Sequence, residues 1–409
     1  MKVTGIIAEY NPFHNGHEYQ MKTVRQTLNP DFLIVVLSGD HVQRGTPALL
    51  DKFSRTQMAL CCGADLVLEL PVSYACSSAE YFAEGAVSLL HGLGVVTHLC
   101  FGCETPRQEL FIKTASLLNQ EPPSYRQALK ASLKKGLPYP AARAGALTAC
   151  LHPNQADSEE AALLRSPNNL LGVEYCRVLN KLHSPIKPWP ILRVGSGYHE
   201  QSFSDPDSYP SASAIRSYLS AHSDLNGLYS QMPRTAARLL QKAVKERRNI
   251  LEDDYSLLLQ TQLLRESLLS LTEYLDLSEE LSRRIIRNRN QFQSFSQFCR
   301  LLKTKEVTYT RIQRSLLHVL LNLKEIYPVS YARVLGFRKE SAELLHRIKK
   351  EGSLPLLTKL ANAREILSPS GQKLLAQDVF ASNFYQAVSS QKSGLPFIHE
   401  YQKPIIIQE

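Results

Sequence analysis

The chain has 409 residues, of which 44% are hydrophobic and 21% are charged. This length and composition are ordinary for a globular protein of two or three domains, and they exclude a peptide-sized or disulfide-stapled module. No apolar run approaches the roughly 18 to 20 residues that cross a bilayer, so the sequence predicts no membrane segment. The amino terminus MKVTGIIAEYNPFH lacks a signal-peptide pattern, and we expect a cytoplasmic protein.

The formal net charge of +9 is unevenly distributed along the chain. Residues 1–218 contain 19 basic and 19 acidic side chains, whereas residues 219–409 contain 28 and 19. Within residues 283–350 there are 16 basic and 4 acidic side chains, interleaved with aromatic and hydroxyl groups. This mixture contacts phosphates and unstacked bases. A solvated helix face is the alternative, but nucleic acid is the favoured partner.

The eight cysteines lie mostly in apolar segments and follow no regular spacing. In a chain of this length they indicate reduced thiols in a reducing compartment. Cys100 and Cys103 form one CxxC pair, but no second CxxC or HxxxH follows at zinc spacing. We therefore expect no disulfide and assign no metal ligands.

The first 220 residues alternate short apolar runs with amphipathic stretches. The predicted strands are 5–10, 32–39, 65–71, 97–104 and 188–194, and the predicted helices lie near 15–29, 51–63, 77–92, 106–118 and 167–182. Apolar runs without period-2 alternation, separated by helices, are typical of a parallel sheet buried on both faces. The sequence predicts a doubly wound α/β domain over 1–220, with a helical insertion at about 120–165.

After about residue 220 the apolar positions recur at helical spacing. Segments such as LYSQMPRTAARLLQKAVKERR and TRIQRSLLHVLLNLKEI show this pattern clearly. We expect residues 221–409 to form an all-α, basic domain that packs against the first domain.

The first predicted strand runs into a loop, residues 11–17, that contains two histidines. In an open parallel sheet, ligands bind at the carboxyl ends of the strands, and this loop lies at the first such end. The following helix offers its N-terminal amides to an anion, and Gly16 allows close approach of the backbone. His14 and His17 are therefore candidate hydrogen-bond donors to the phosphates of a nucleotide.

A second candidate phosphate site is the segment SASAIR, residues 211–216, beyond the last predicted strand. Ser213 provides a hydroxyl and Arg216 a guanidinium at the start of a helix, which suits terminal phosphates. A simple helix N-cap followed by an ordinary arginine is the alternative. The order of the two motifs and their separation favour the phosphate site.

These two motifs resemble the HxGH and KMSKS-like signatures of the HIGH-type nucleotidyltransferase superfamily. More closely, AEYNPFHNGH, SGDHVQRGTPALLDKFSRTQMAL, FGCE, SPNNLLGVEY, SASAIR and KTKEVTYTRIQRSLLHVLLN resemble, in this order, the bacterial tRNA(Met) cytidine acetate ligase family. The resemblance implies ATP-dependent formation of acetyl-adenylate from acetate. It also implies transfer of the acetyl group to N4 of the wobble cytidine of elongator tRNA(Met), giving N4-acetylcytidine.

The resemblance also implies roles for individual residues. His14, His17, Ser213 and Arg216 would be catalytic, and Mg²⁺ is expected to accompany ATP. The implied ATP-binding residues are Ile7, Ala8, Glu9, Tyr10, Asn11, Pro12, Phe13, His14, Asn15, Gly16, His17, Glu18, Tyr19, Gln20, Gly102, Asn168 and Arg193.

Two groups outside the nucleotide motifs are candidate substrate contacts. Arg44, in the loop after the second strand, is a candidate counter-ion for the small carboxylate, although a salt-bridged loop fits equally. The candidate tRNA contacts are Lys303, Lys305, Tyr309, Arg311 and Arg314, where the cations would neutralise phosphates and the tyrosine would stack on a base or fill a core. No protein partner is evident.

Two other functions fit parts of the sequence. A small-molecule adenylyltransferase of metabolism would keep the fold but would not need a basic domain of this size. A non-catalytic tRNA-binding protein would not need intact phosphate-binding motifs. The charge distribution and the motifs together favour the acetate ligase.

Overall fold

The computed structural model describes residues 1–137, 139–152, 158–194, 211–221 and 226–409. Among these residues, eight strands form one mostly parallel sheet, in the order β10-β8-β5-β2-β1-β6-β7 with β9 beside β8, and β3 pairs with β4 separately. The strands are β1 (Val3–Ala8), β2 (Phe32–Ser38), β3 (His41–Val42), β4 (Thr46–Pro47), β5 (Leu66–Leu70), β6 (His98–Cys103), β7 (Lys187–Leu192), β8 (Ala332–Arg338), β9 (Leu356–Leu357) and β10 (Ile406–Gln408).

Helices connect the strands and make up most of the chain after β7. In chain order they are α1 (Asn15–Leu28), α2 (Lys52–Cys61), α3 (Val72–Ala75), α4 (Ala79–Gly92), α5 (Gln108–Gln120), α6 (Pro123–Lys134), α7 (Tyr139–Leu151), α8 (Glu159–Leu163), α9 (Pro167–Lys181), α10 (Ala212–Ala221), α11 (Arg234–Lys245), α12 (Ser256–Arg265), α13 (Leu268–Leu271), α14 (Glu279–Asn288), α15 (Phe295–Leu302), α16 (Tyr309–Leu320), α17 (Ala342–Glu351), α18 (Ala363–Ile366) and α19 (Pro369–Ser393). None of the described helices is long and apolar enough to cross a membrane.

The central strands are buried on both faces, as the sequence predicts for a doubly wound sheet. In β2, Ile34 and Val36 belong to one hydrophobic cluster, whereas Leu33, Val35 and Leu37 belong to a second cluster on the other face. Strand β1 pairs in parallel with β2 and with β6, and β7 continues the sheet beyond β6. The prediction of an α/β fold with a mostly parallel sheet is confirmed.

The second part of the chain is not made of helices alone, and on this point the sequence prediction is wrong. Strand β8 joins the sheet antiparallel to β5, and β10 pairs in parallel with β8. Val334 packs in the first cluster and Leu335 in the second, so β8 contributes to both faces of the sheet. The division of the chain near residue 220 stays a prediction, as does the insertion at 120–165, where the described residues form helices α6 to α8.

A buried network of four charges joins the two parts of the chain. Lys52, on α2, lies 2.6 Å from Glu69 Oε1 and 2.7 Å from Glu400 Oε1. Arg333, on β8, pairs with the same two carboxylates, at 2.8 Å from Glu69 Oε2. None of the four side chains is more than 4% exposed. Two cations and two anions thus compensate one another within one buried network.

The network predicts a large loss of stability when one partner is removed. Lys52→Met would leave Glu69 and Glu400 short of a cation in a dry environment, and should lower the free energy of unfolding by about 3–5 kcal/mol. The control is Lys22→Met, which breaks an exposed pair with Glu18 and should cost less than about 1 kcal/mol. Urea unfolding measures both variants, and equal losses would contradict the proposed importance of burial.

Candidate active site

A cleft opens at the carboxyl ends of β1, β6 and β7, where the fold predicts a ligand site. It brings together residues that are more than 200 positions apart in the sequence. The predicted site residues that line it are Ile7, Ala8, Glu9, Tyr10, Asn11, His14, His17, Gln20, Gly102, Asn168, Arg193, Ser213 and Arg216. Most of the predicted nucleotide and phosphate residues therefore share one cavity.

Six residues of the predicted nucleotide loop do not line this cleft: Pro12, Phe13, Asn15, Gly16, Glu18 and Tyr19. Phe13 is fully buried in the core beneath the loop, and Tyr19 packs against the same cluster. Glu18 pairs with Lys22 along the solvent side of α1, at 2.9 Å. The helical turn explains the separation, because His14, His17 and Gln20 recur at three-residue spacing on the cleft side and their neighbours point away.

The two histidines cap α1 with their own ring nitrogens. His14 is the N-cap residue, and its Nδ1 accepts a hydrogen bond from the backbone N–H of Gly16 at 3.1 Å. His17 Nδ1 accepts from the backbone N–H of His14 at 3.2 Å, which completes a capping box. The ring centroids lie 3.7 Å apart. Because Nδ1 is the acceptor in each ring, the neutral imidazole carries its proton on Nε2 and can donate from there.

The surroundings of both rings favour the neutral imidazole. Burial lowers the pKa of His14 to about 3, and the guanidinium groups of Arg193 and Arg216 act in the same direction. Burial and the adjacent His14 lower the pKa of His17 well below its ordinary value. The HxGH motif therefore presents two uncharged N–H donors, and the positive charge of the cleft comes from arginines.

Helix α10 places the second motif against the first. Ser211 is the residue whose hydroxyl caps the helix, since its Oγ accepts from the backbone N–H of Ala214 at 3.1 Å. Arg216 extends to the first loop, where Nη1 donates to the carbonyl oxygen of Asn11 at 2.6 Å, and Nη2 donates to Ser213 Oγ at 3.2 Å. Because Ser211 caps the helix, Ser213 is not the capping residue, and it lines the cleft with Arg216.

On the other side of the cleft, residues from β6, α9 and β7 meet. A Cβ atom at Gly102 would lie 3.1 Å from Cγ of Arg193, so a larger residue would press on that side chain. Asn168 donates through Nδ2 to Glu104 Oε1 at 2.6 Å. Asn169 anchors the start of α9, because its Oδ1 accepts from the backbone N–H of Glu104 at 2.9 Å. The three predicted residues Gly102, Asn168 and Arg193 therefore all line this side of the cleft.

Four residues of the cleft were given no role by sequence reasoning: Phe82, Phe101, Leu171 and Tyr175. Ser211 and Ala212, which also line it, belong to the SASAIR motif, and Gln43 lies next to Arg44 in the loop that was expected to face the cleft. Arg44, a candidate from the sequence, also lines the cleft. Phe82, Leu171 and Tyr175 lie on helices at core-like spacing, and nothing in the sequence distinguishes them from packing residues. Phe101 lies in β6 towards its carboxyl end, and that position is the signal that could have identified it.

The predicted tRNA contacts lie around the start of α16. Lys303 and Lys305 are exposed, whereas Tyr309, Arg311 and Arg314 are half-buried. Tyr309 donates through its hydroxyl to Glu252 Oε1 at 3.4 Å, and Arg314 pairs with Asp276 at 2.8 Å. A Cβ atom at Gly45, whose φ is +82°, would lie 2.3 Å from the backbone nitrogen of Arg314. The cleft loop that contains Gln43 and Arg44 therefore rests on α16.

Comparison with known proteins identifies the family. The family described as HIGH Nucleotidyl Transferase matches residues 1–395. A tRNA(Met) cytidine acetate ligase of Clostridium perfringens is 39% identical over 94% of this chain and 95% of its own length. One from Thermoanaerobacter sp. is 39% identical over 98% and 99%. The chain belongs to the tRNA(Met) cytidine acetate ligase family of HIGH nucleotidyltransferases. The resemblance inferred from the motifs is confirmed.

Solved structures of an acetate ligase family member have the same fold. The crystal structure of apo Thermotoga maritima TmcAL is 31% identical and superposes with a TM-score of 0.93 over 100% of both chains. The structure of the same protein bound with alpha-thio ATP gives a TM-score of 0.91, again over 100% of both chains. The likeness thus extends over the whole length of this acetate ligase family member, including β8 and the helices after residue 220.

The geometry of the capping histidines predicts their titration. Both rings should stay neutral, with the proton on Nε2, from pH 8 to pH 5, because burial and the neighbouring arginines oppose the imidazolium form. Since the pKa is lowered on folding, these groups should make the protein less stable as pH falls from about 6.5 towards 3. Two-dimensional NMR of ¹⁵N-histidine-labelled protein measures the tautomer and pKa, and a titration midpoint near 6.5 for His14 would contradict the assignment.

Proposed function

We propose that this protein is an ATP-dependent acetate ligase that modifies tRNA. It activates acetate as acetyl-adenylate and transfers the acetyl group to N4 of the wobble cytidine of elongator tRNA(Met). The observation that carries the proposal is the single cleft in which HxGH meets SASAIR, in a chain whose relatives are named tRNA(Met) cytidine acetate ligase. The TmcAL structure bound with alpha-thio ATP supports ATP as the nucleotide.

In the proposed complex the triphosphate lies along the amino end of α1. The Nε2–H groups of His14 and His17 donate to phosphate oxygens, and Ser213 and Arg216 hold the terminal phosphates from α10. The nucleoside end lies against Gly102, where the absence of a side chain leaves room for a base, with Asn168 and Arg193 at its edges. The triphosphate would thus be bound by the N-terminus of a helix, by uncharged N–H donors and by a guanidinium group together.

The first chemical step makes the mixed anhydride. An oxygen of acetate attacks the α-phosphorus of ATP, a new P–O bond forms, and the bond to pyrophosphate breaks. Negative charge develops on the departing pyrophosphate, and the fixed donors of His14 and His17 stabilise it without having to reorient. Arg44 lines the same cleft and is the proposed counter-ion of the acetate carboxylate.

Magnesium is expected to accompany ATP, and the described residues fit a loosely held ion. They contain no group of three or more His, Cys, Asp or Glu side chains arranged to hold a metal. Glu9 is the one carboxylate among the described residues that line the cleft. Mg²⁺ is commonly held by one or two carboxylates together with phosphates and water, so Glu9 would hold it beside the nucleotide. When bound, the ion would neutralise phosphate charge.

The second step transfers the acetyl group to the tRNA. N4 of cytidine attacks the carbonyl carbon of acetyl-adenylate, a C–N bond forms, AMP leaves with the electrons of the C–O bond, and N4 loses a proton. Lys303 and Lys305 precede α16, and Arg311 lies in its first turn. We propose that these three side chains contact phosphates of the tRNA. Tyr309 and Arg314 support the same segment. Because tRNA is the proposed substrate, the cytoplasm is the proposed location.

The phosphate role of HxGH predicts a severe loss of activity when one donor is removed. His17→Ala should lower the rate of acetate-dependent adenylate formation roughly a hundredfold or more, the scale for one preorganised donor. His14→Ala should have a comparable effect. Hydroxylamine trapping of the adenylate as acetohydroxamate, at saturating ATP, measures the rate. Near wild-type turnover in a folded His17→Ala variant would show that the ring does not act on the phosphates.

The identity of the acyl donor is the direct test of the proposed function. Labelled acetate with ATP should place an acetyl group on tRNA(Met), with AMP and pyrophosphate as co-products, because N4 of cytosine is a weak nucleophile and needs an activated acyl group. Acetyl-CoA without ATP should give no product. Transfer from acetyl-CoA alone, or the formation of ADP and phosphate, would contradict the mechanism.

A further inference from the structure

One exposed helix face carries positive charge that the cleft does not use. The four basic residues of this face, Arg234, Arg238, Lys242 and Lys245, lie on α11 and are exposed to solvent. Among the residues that the structure describes, none of the four has an ion-pair partner. The next basic residue along the chain that forms ion pairs is Arg248, with Asp51 and Glu246. We call these four residues, together with Tyr229, the α11 face.

The helix geometry aligns the four cations. At 3.6 residues per turn and 1.5 Å per residue, they lie within about 100° of arc and extend over about 16 Å. The opposite side of α11 is buried in the core through residues such as Ala236, Leu240 and Ala243. Because the apolar side is already covered, the helix cannot insert into a lipid surface as an amphipathic anchor does. The four cations of the α11 face are therefore directed outward into solvent.

Stabilisation of the helix does not account for these charges. Lys242 and Lys245 lie in the last turn, where cations interact favourably with the helix dipole. Arg234 is the first residue of α11, and the first turn contains no acidic residue. A cation at this end is opposed by the dipole. The dipole therefore does not explain the cation Arg234, nor Arg238 one turn later, and an anionic ligand provides an explanation for both.

An aromatic side chain lies at the same end of the helix. Tyr229 is 40% exposed and lines a shallow surface pocket with Arg234, Arg238 and Met232. Unstacked nucleotide bases bind to aromatic rings flanked by guanidinium groups, and the combination is characteristic of single-stranded RNA contacts. Exposed cations beside an exposed aromatic ring favour RNA over a lipid headgroup or an acidic protein.

The amino end of the α11 face adjoins the cleft. Asn15, the residue that follows His14, donates through Nδ2 to the carbonyl oxygen of Ser230 at 2.8 Å. Ser230 follows Tyr229 directly and lies shortly before the start of α11. An RNA strand lying on the α11 face would thus reach the rim of the cleft at HxGH. The segment 303–314 adjoins the cleft through a different loop, that of Gly45.

We propose that the α11 face is a second RNA-binding surface, which holds phosphates and one unstacked nucleotide of the tRNA beside the cleft. The inference rests on the proposed function, because it takes tRNA as the substrate. It adds a binding surface to the one proposed at residues 303–314.

The test compares two quadruple variants with the same change in net charge. The first, Arg234→Gln, Arg238→Gln, Lys242→Gln and Lys245→Gln, neutralises the α11 face with residues that form helices well. The control neutralises Lys339, Arg347, Lys349 and Lys350 in the same way; these residues belong to the basic stretch 283–350 but not to the tRNA contacts proposed at 303–314. Arg347 lies beside Lys2, His98 and Lys187, at the amino ends of the strands, which is the edge of the sheet opposite the cleft. Acetate-dependent ATP–pyrophosphate exchange without tRNA should be unchanged in both variants.

Affinity for tRNA(Met) is measured as a function of salt concentration. The slope of log affinity against log salt should become shallower by about 3 in the α11 variant, at roughly 0.7–0.9 per lost phosphate contact, and should stay at the wild-type value in the control. Tyr229→Ala should weaken binding about tenfold without changing the slope, whereas Tyr229→Phe should bind normally.

The outcomes separate the inference from the proposed function. Failure of the unsubstituted protein to bind tRNA would contradict the proposed function itself. A wild-type slope in the α11 variant, with tRNA still bound by the unsubstituted protein, would overturn the α11 face alone. The inference would also be overturned if the variant lost binding to anionic phosphatidylserine vesicles while its tRNA slope stayed normal.

Discussion

Arg55 is fully buried, and its guanidinium donates hydrogen bonds to four main-chain carbonyl groups. Nε donates to Leu50 at 2.9 Å, Nη1 to Glu9 at 2.7 Å and to Ser38 at 2.9 Å, and Nη2 to Gly39. A buried cation is tolerated only when its N–H donors are all hydrogen-bonded. The four contacts of Arg55 must therefore form together. One side chain of α2 therefore holds the ends of β1 and β2 together, at the edge where the cleft opens.

The other contacts of the cleft are built on this connection. Gln43 donates its backbone N–H to Glu9 Oε1 at 2.8 Å, and Leu49 donates its backbone N–H to Asn11 Oδ1 at 2.7 Å. Arg216, on α10, donates a hydrogen bond to the carbonyl oxygen of Asn11. The loop that ends in HxGH is thus held by α2, by the loop after β2 and by α10. A phosphate site needs this rigidity, because fixed donors stabilise developing charge only when they are already aimed at it.

The electrostatics of the cleft follow from the same packing. The histidines are held as neutral donors because burial opposes a proton on the ring and because Arg193 and Arg216 are close to His14. The charge that attracts an anion comes from guanidinium groups, which remain protonated at any relevant pH. Because the histidines are neutral and the arginines carry the charge, the binding of ATP should not depend on histidine ionisation near neutral pH.

The sequence predicted those parts of the fold that depend on contiguous residues, and most of the residues that it assigned to a nucleotide line one cleft. The strands of the first part are continuous apolar runs, and HxGH and SASAIR each occupy one loop and the start of one helix. Strand β8 was missed because ARVLGFR lies among helical segments and contains Arg333, whose burial is possible only beside Glu69 and Glu400. Arg55 was likewise unassigned, although a cation on the apolar side of KFSRTQMAL was a usable signal. Phe13 was placed in the nucleotide set because the family resemblance implies the whole span 7–20, and the structure buries its side chain in the core.

The central claim is that the buried guanidinium of Arg55 positions the loop that ends in HxGH, and one substitution tests it. Arg55→Lys keeps a positive charge but cannot reach four carbonyl groups in a fixed plane. Acetate-dependent ATP–pyrophosphate exchange should fall roughly a hundredfold, the cost of a misplacement of about 1 Å at a reacting centre, while the far-ultraviolet circular dichroism spectrum stays native. Exchange at the wild-type rate in the folded variant would contradict the account.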